Sequence, residues 1–313
     1  MIDIHARQKV IARASLISVF GNLLLSILKI IAGFISGSLA VVADGVDSLG
    51  DVFASLITLF TARIITRPPN SRHPYGYDKA DTVASKLVAF IMFFAGAQLA
   101  ISTANRLISG ETGEVPSMIA IAVIVVSIIG KQFLALFLRK KGNRVDSPML
   151  RANARNMQND VVISVSVLIG LILTHLLQLP VLDTITALVV SIWIMVIAIR
   201  IIVSSSRELM DGVEDETIYT LITKAVESVP EARNPHRIRA RKMAHYYMIA
   251  LDIEVDGSMS LFEAHKIGHE VEDQIRIAIP STYDVVVHTE PVGDTNPKEA
   301  FGVIGNKLTN GKN

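Results

Sequence analysis

Two apolar stretches decide the fold of this chain: LAVVADGVDSLGDVFASLITLFTARII at residues 39–65 and ANARNMQNDVVISVSVLIGLILTHLL at residues 152–177. Each is long enough to cross the hydrocarbon core of a bilayer, which takes about 20 helical residues. Each also holds a matched pair of polar residues four positions apart, on one helical face: Asp47 and Asp51, then Asn156 and Asp160. An ionisable group inside a membrane costs roughly 2.5–3.5 kcal/mol on insertion scales, so three carboxylates there need a compensating partner. A divalent cation is the leading candidate.

The composition is that of a membrane protein. Of 313 residues, 50% are hydrophobic and 19% are charged, and the mean hydropathy is +0.45. These values lie beyond the range of ordinary soluble domains. Apolar runs of membrane length lie at about 13–36, 39–65, 82–108, 116–138, 152–177 and 181–203. The sequence therefore predicts six transmembrane helices.

Lysine and arginine are distributed unevenly between the connections. They cluster before the first span, in the second and fourth connections and after the sixth span, and they are missing near Gly37, at 109–115 and at 178–180. Since positive loops stay in the cytoplasm, we expect a multi-pass protein of the plasma (inner) membrane with both termini cytoplasmic. Topology accounts for the basic runs, so no nucleic-acid partner is expected. Cysteine is absent, which excludes disulfides and thiolate ligands.

The chain becomes polar after Ser204, and a segment with soluble periodicity follows. Helical spacing at 215–229, a strand at 237–244, a second strand with period-two alternation at 246–255, a helix from 260 to 279 and a strand at 283–288 predict an αββαβ domain. Ser260 and Glu263 form a capping box for the second of these helices. The expected organisation is a transmembrane domain at 1–208, a cytoplasmic regulatory and dimerisation domain at 209–293, and a polar, disordered tail at 294–313.

Five motifs together resemble the cation diffusion facilitator transporters. They are ADGVDSLGD (43–51), RHPYGYDKAD (72–81), ANARNMQND (152–160), LD (182–183) and RELMDG (207–212). They occur in the expected order, and the resemblance covers nearly the whole chain, from the first span to Pro291. The resemblance implies a homodimer with six spans per subunit and a metallochaperone-like cytoplasmic domain. It also implies efflux of a divalent transition metal in exchange for protons, without enzymatic activity or a prosthetic group.

The family's membrane site matches Asp47, Asp51, Asn156 and Asp160. Zinc-type members usually have histidine at the position of Asn156, whereas the set here is all oxygen, which suits Mn²⁺ better than Zn²⁺. Manganese is therefore the expected cargo, with iron second. The three aspartates are the hypothesised proton carriers, and Asp44, one turn before Asp47, is expected to support the site without ligating metal. The alternative is that these polar residues only form hydrogen bonds between packed helices.

Two further groups correspond to metal ligands of the family. In the second connection, Asn70, His73 and Tyr77 occupy the positions of a zinc-type site, so only the histidine remains as a ligand, and a rigid turn without metal is the stronger interpretation. In the cytoplasmic domain the matching positions are His236, Asp252, His265, His288 and Glu290. Asp252, His265 and His288 are the leading members of this set. His265 and His269, four residues apart, form a separate pair in the alternative interpretation.

The remaining polar residues in the spans have simpler interpretations. Asn22, Lys29, Lys131 and Gln132 are candidates to line the path, but Lys29 and Lys131 lie toward helix ends, where snorkelling suffices. Asp183 is expected to cap the sixth span. Three rival functions stay open: an Fe²⁺ or Zn²⁺ exporter of the same family, a membrane metal sensor or scaffold that does not transport, and an intramembrane metallohydrolase. The last requires histidine ligands at membrane depth, and the one histidine in a span, His175, lies at the outer end of the fifth.

Overall fold

A computed structural model gives the fold of the chain. It describes residues 4–65, 67–77, 79–110, 114–145, 147–213, 215–243, 246–293 and 302–305. The chain divides into two compact units, Met1–Ile64 with Ala84–Ile202 and Ile65–Val83 with Val203–Asn313.

The first part of the chain consists of six long helices. They are α1 (Ile4–Ser36), α2 (Leu39–Ile65), α3 (Lys79–Ser109), α4 (Met118–Arg144), α5 (Pro148–Leu177) and α6 (Val181–Leu209). In the described part of the chain, α1 (over Val10–Ser36), α3, α4, α5 (over Leu150–Leu177) and α6 are long and apolar enough to cross a membrane. All six helices coincide with predicted spans, which confirms a helical, multi-pass membrane domain.

The sixth membrane-length helix, α2, is the polar one. It has 27 residues, about 40 Å of helix at 1.5 Å per residue, and carries three aspartates within two turns: Asp44, Asp47 and Asp51. Its first turn is enclosed by apolar residues of α4, α5 and α6, including Ile124, Leu171 and Ile194. A Cβ placed on Gly45 would lie 2.6 Å from Ile30 of α1, so only glycine allows this approach of the two helices. Among the six long helices, the one with the most acidic side chains therefore has an enclosed N-terminal half.

Asp183 caps a different helix from the one predicted. It lies in the first turn of α6, and its buried carboxylate accepts hydrogen bonds from the Ser38 hydroxyl (2.5 Å) and the Leu39 amide (2.8 Å). Those donors are at the start of α2, where amides have no partner within the helix. The expectation that Asp183 caps its own helix is wrong, because the carboxylate instead fastens α6 to the N-terminus of α2.

The second part of the chain is a small α+β domain. Its elements are α7 (Thr217–Glu227), β1 (Arg233–Met243), β2 (Tyr246–Val255), α8 (Leu261–Ala278) and β3 (Thr282–Pro291). The predicted αββαβ order is confirmed. β1 pairs antiparallel with β2, and β2 pairs parallel with β3. Both helices and the sheet share one apolar core, which includes Ile222 and Val226 of α7, Leu251 of β2 and Val271 of α8. The predicted capping box of Ser260 and Glu263 begins α8.

Part of the polar tail is ordered. The Val303 amide and carbonyl each form a 3.0 Å hydrogen bond with the backbone of Ile238 in β1. Residues 302–305 belong to the tail for which disorder was expected, and this short segment pairs with the edge strand β1. The rest of the tail, 294–301 and 306–313, lies outside the described residues.

Candidate metal-transport site

The polar faces of α2 and α5 meet along two levels. The Asn156 amide donates to Asp51 Oδ1 at 3.2 Å, and the Ser164 hydroxyl donates to the Asp44 carboxylate at 3.0 Å. Since Asp44 precedes Asp51 while Ser164 follows Asn156, the two helices run antiparallel. The sequence spacing of seven to eight residues separates the levels by about 10–12 Å. Asp160, one turn from both Asn156 and Ser164, lies between them.

A cavity of about 540 Å³ opens beside this helix pair. All four residues predicted for the membrane site line it: Asp47, Asp51, Asn156 and Asp160. Asn159, Ser85 and Met92 also contribute to its wall, together with apolar residues of α5 and α6. Asp47 and Asp160 are buried. The structure thus places the four predicted side chains around a single space, whose polar donors are carboxylate, amide and hydroxyl oxygens.

A buried lysine that was not predicted as a site residue lies beside these carboxylates. Lys131 in α4 is fully buried, and its ammonium lies 3.0 Å from Asp160 Oδ2 and 3.8 Å from Asp51 Oδ2. The expectation that Lys131 snorkels is wrong. It is the 14th of the 27 residues in α4, so neither helix end is within reach of its side chain. Its position at the midpoint was the signal that could have revealed a charged partner.

Lys29 in α1 forms a second buried ion pair. Its ammonium is 2.7 Å from Asp44 Oδ2 and donates hydrogen bonds to the hydroxyls of Ser48 (3.1 Å) and Ser164 (3.0 Å). Both charged side chains are almost completely inaccessible to solvent. Lys29 therefore does not snorkel either. Asp44 is not among the described residues that line the cavity, and its ion pair accounts for its burial without a metal.

The connection between α2 and α3 has the geometry of a turn. Asn70 Oδ1 accepts hydrogen bonds from the Arg72 and His73 amides at 2.9 Å, and its side-chain amide donates to the Tyr77 hydroxyl at 2.8 Å. The rings of His73 and Tyr77 lie 4.3 Å apart. The three positions that match a zinc-type site are in mutual contact, and together they stabilise the turn.

The cytoplasmic domain holds a separate cluster of potential ligands. His236, Asp252 and Glu290 each offer an atom within 4.8 Å of the others, and they form the one such group of three found in the described residues. The His236 imidazole is 3.2 Å from Glu290, and the His288 imidazole is 3.4 Å from the same carboxylate. Register shifts on both sides of His236 interrupt the pairing of β1 with β2. Such irregularities re-aim a side chain relative to a regular strand.

Two features of this cluster differ from the leading expectation. His265 does not join it in the described chain: its imidazole is 3.1 Å from that of His269 on α8, which is the alternative pairing. Asp252 is already paired, since the Arg237 guanidinium lies 2.6 Å from its buried carboxylate. A metal ion bound by Asp252 would have to share the carboxylate with Arg237 or displace the guanidinium from it.

Comparison with known proteins identifies the family. The cation efflux transmembrane domain matches residues 15–210, and the cytoplasmic domain of cation efflux proteins matches 214–292. The uncharacterized transporter YdbO of Bacillus subtilis (strain 168) is 30% identical over 281 residues, covering 89% of this chain and 95% of that protein.

Two further relatives carry names that describe transport. The manganese efflux system protein MneS of Bacillus subtilis (strain 168) is 29% identical over 280 residues, covering 89% of this chain and 94% of that protein. The cation-efflux pump FieF of Cronobacter sakazakii is 29% identical over 289 residues, covering 92% and 95%. These matches confirm the resemblance seen in the motifs, and the chain belongs to the cation efflux family of transporters, the cation diffusion facilitators.

Proposed function

We propose that this protein exports Mn²⁺ from the cytoplasm in exchange for protons, using the cavity beside α2 and α5. The observation that carries the proposal is the donor set around that cavity. Asp47, Asp51, Asn156 and Asp160 supply three carboxylates and one amide at membrane depth. Polar residues that serve only as packing contacts have no need of a cavity.

The donor types favour manganese over zinc. None of the described residues that line the cavity is a histidine, and the chain has no cysteine. Zn²⁺ sites draw mainly on imidazole and thiolate, whereas oxygen ligands in an octahedral arrangement suit Mn²⁺. The similarity to MneS, a manganese efflux protein by name, points the same way. Fe²⁺ shares the preference for this oxygen set and is the second candidate.

Proton exchange follows from the same carboxylates. An aspartate that binds a cation in one conformation can bind a proton in another, so that the buried site is not left with uncompensated negative charge when the cation has gone. Asp47, Asp51 and Asp160 are therefore proposed both as ligands and as proton carriers. The positively charged connections support an orientation with both termini in the cytoplasm of a plasma (inner) membrane protein.

The cytoplasmic domain is proposed as a metal sensor and dimerisation module. His236, Asp252 and Glu290 would form the core of its site, with His288 adjacent to Glu290. A domain of this size buries a small core, so an oligomeric contact would stabilise it. Light scattering of the purified protein is expected to give the mass of two 34.0 kDa chains.

Transport in sealed vesicles tests the proposal. The purified protein is reconstituted with an imposed pH gradient, and fluxes of Mn²⁺, Fe²⁺ and Zn²⁺ are compared. We expect Mn²⁺ to move fastest, its flux to require the gradient, and Asp51→Asn to abolish it. Asp273→Asn, at an exposed carboxylate of α8, is the matched control and should transport normally. A higher Zn²⁺ flux would contradict the assignment of the cargo, and no flux of any metal would favour a sensor or scaffold.

A further inference from the structure

The buried lysine of α4 approaches the transport site from within the protein. Lys131 is not among the described residues that line the cavity, yet its ammonium lies 3.0 Å from Asp160 and 3.8 Å from Asp51. Both contacts are to the Oδ2 atoms, while Asp51 Oδ1 accepts a hydrogen bond from Asn156. Lys131 therefore forms an ion pair with one oxygen of each carboxylate, while Asn156 occupies the other oxygen of Asp51.

The second buried lysine shows why this contact is specific to the site. Lys29 is paired with Asp44 and two serine hydroxyls, a self-contained group one level away. Its charge is balanced by an aspartate that does not line the cavity. Lys131, in contrast, pairs in the described structure with Asp51 and Asp160, and both of these aspartates line the cavity.

The formal charges of the buried carboxylates and ammonium groups give a reason for this arrangement. The group contains four carboxylates and two ammonium groups, and its formal charge is therefore −2. The carboxylates belong to Asp44, Asp47, Asp51 and Asp160, and the ammonium groups to Lys29 and Lys131. Since Lys29 cancels Asp44, the same −2 remains on Asp47, Asp51 and Asp160 together with Lys131. One divalent cation brings this buried group to neutrality, and neutrality is what a low-dielectric environment favours.

We propose that Lys131 is the fixed counter-charge of the transport site. It is a positioning residue that orients Asp51 and Asp160 and reduces the charge of a three-carboxylate site to the value that matches a divalent cation. It thereby keeps the affinity low enough for release of the metal. This inference rests on the proposed function only in taking these aspartates as the residues that bind the cargo.

Removal of the charge should separate binding from turnover. In Lys131→Gln, a neutral polar side chain one atom shorter than lysine leaves the three carboxylates without a counter-charge, so that Mn²⁺ is held more tightly and leaves more slowly. We expect KM for Mn²⁺ to fall by about tenfold or more and kcat to fall with it, because a unit charge this close to the ligands is weakly screened. A residue with a purely structural role would lower kcat or the amount of folded protein without lowering KM.

The experiment compares three variants with the wild type in reconstituted vesicles. Lys131→Arg keeps the charge and is expected to bring KM back toward the wild-type value. Lys140→Gln removes a charge from an exposed position on the same helix and is expected to change neither constant. An unchanged or higher KM in Lys131→Gln, or an equal fall in KM in Lys131→Arg, would overturn the proposal.

A binding measurement without transport separates this inference from the proposed function. Thermal unfolding of the detergent-solubilised full chain is recorded with and without Mn²⁺, and the stabilisation by Mn²⁺ should be larger in Lys131→Gln than in the wild type. If Lys131→Gln can be purified only in the presence of Mn²⁺, that result also supports the proposal. An equal stabilisation in both proteins refutes the role of Lys131, whether or not the wild type transports manganese.

Discussion

The buried pair of Lys131 and Asp160 should be energetically coupled far more strongly than an exposed pair of similar geometry. Its two charged atoms are 3.0 Å apart and almost inaccessible to solvent. Removal of one partner from a buried pair typically costs about 3–5 kcal/mol, because an uncompensated charge remains. For Asp160→Ala we expect the lower end, about 3 kcal/mol, since Asp51 stays within 3.8 Å of the ammonium. Lys131→Ala should cost a similar amount, because the carboxylates then lose their counter-charge.

A double-mutant cycle measures the coupling directly. The free energy of unfolding is determined in mixed micelles for the wild type, Asp160→Ala, Lys131→Ala and the double variant. The double variant should lose about 1–3 kcal/mol less than the sum of the single losses. Lys79 and Asp211 provide the control: they are 2.6 Å apart but 39% and 47% exposed, so their coupling should be about 0–1 kcal/mol. Additive losses at the buried pair, or a coupling no larger than the control, would refute the reasoning.

Three further outcomes are expected. Asn156→His should shift the ratio of Mn²⁺ to Zn²⁺ flux toward zinc, since imidazole suits tetrahedral zinc, and an unchanged ratio would mean that selectivity is set elsewhere. His236→Ala and Glu290→Gln should each weaken binding of metal to the cytoplasmic domain of the full chain, as measured by calorimetry, while transport at saturating metal persists. Hydrogen bonds from the Ser260 amide and hydroxyl lower the pKa of Glu263. Its contribution to stability is therefore present above the unfolded-state pKa and is lost as pH falls through the lowered value, so thermal unfolding of wild type and Glu263→Gln should converge in acid.

The elements of the fold were predictable because their signals are local. Apolar runs of membrane length and period-two strands depend on neighbours in the sequence, and the six helices and the αββαβ order followed from them. The boundaries were less accurate for a physical reason. α4 continues to Arg144 instead of ending at 138, since a helix can extend past the bilayer where its side chains become polar. β1 begins at Arg233 instead of 237, because its irregular pairing hides the period-two pattern.

Only the part of the site that depends on sequence spacing was predictable. Spacing of four residues places Asp47 beside Asp51 and Asn156 beside Asp160, and the family motif joins the two pairs. No local pattern states that Ser164 donates to Asp44 or that the Lys131 ammonium lies beside Asp160. These contacts depend on how whole elements pack against one another, which the spacing within a single helix does not determine.

The position of Lys131 could nevertheless have been inferred from length alone. In the predicted span of 116–138 it lies seven residues from the nearer end, or about 10 Å of helix, which is more than its four-carbon stem can bridge. A lysine that cannot reach the interface must meet an acid on a neighbouring helix, and acidic residues occur at comparable depth in α2 and α5. The same reasoning separates the acids by role. Asp44 is neutralised by its own ion pair with Lys29 and needs no metal ion. The combined negative charge of Asp47, Asp51 and Asp160 exceeds the single positive charge of Lys131, so these three aspartates are the ones that favour a divalent ion.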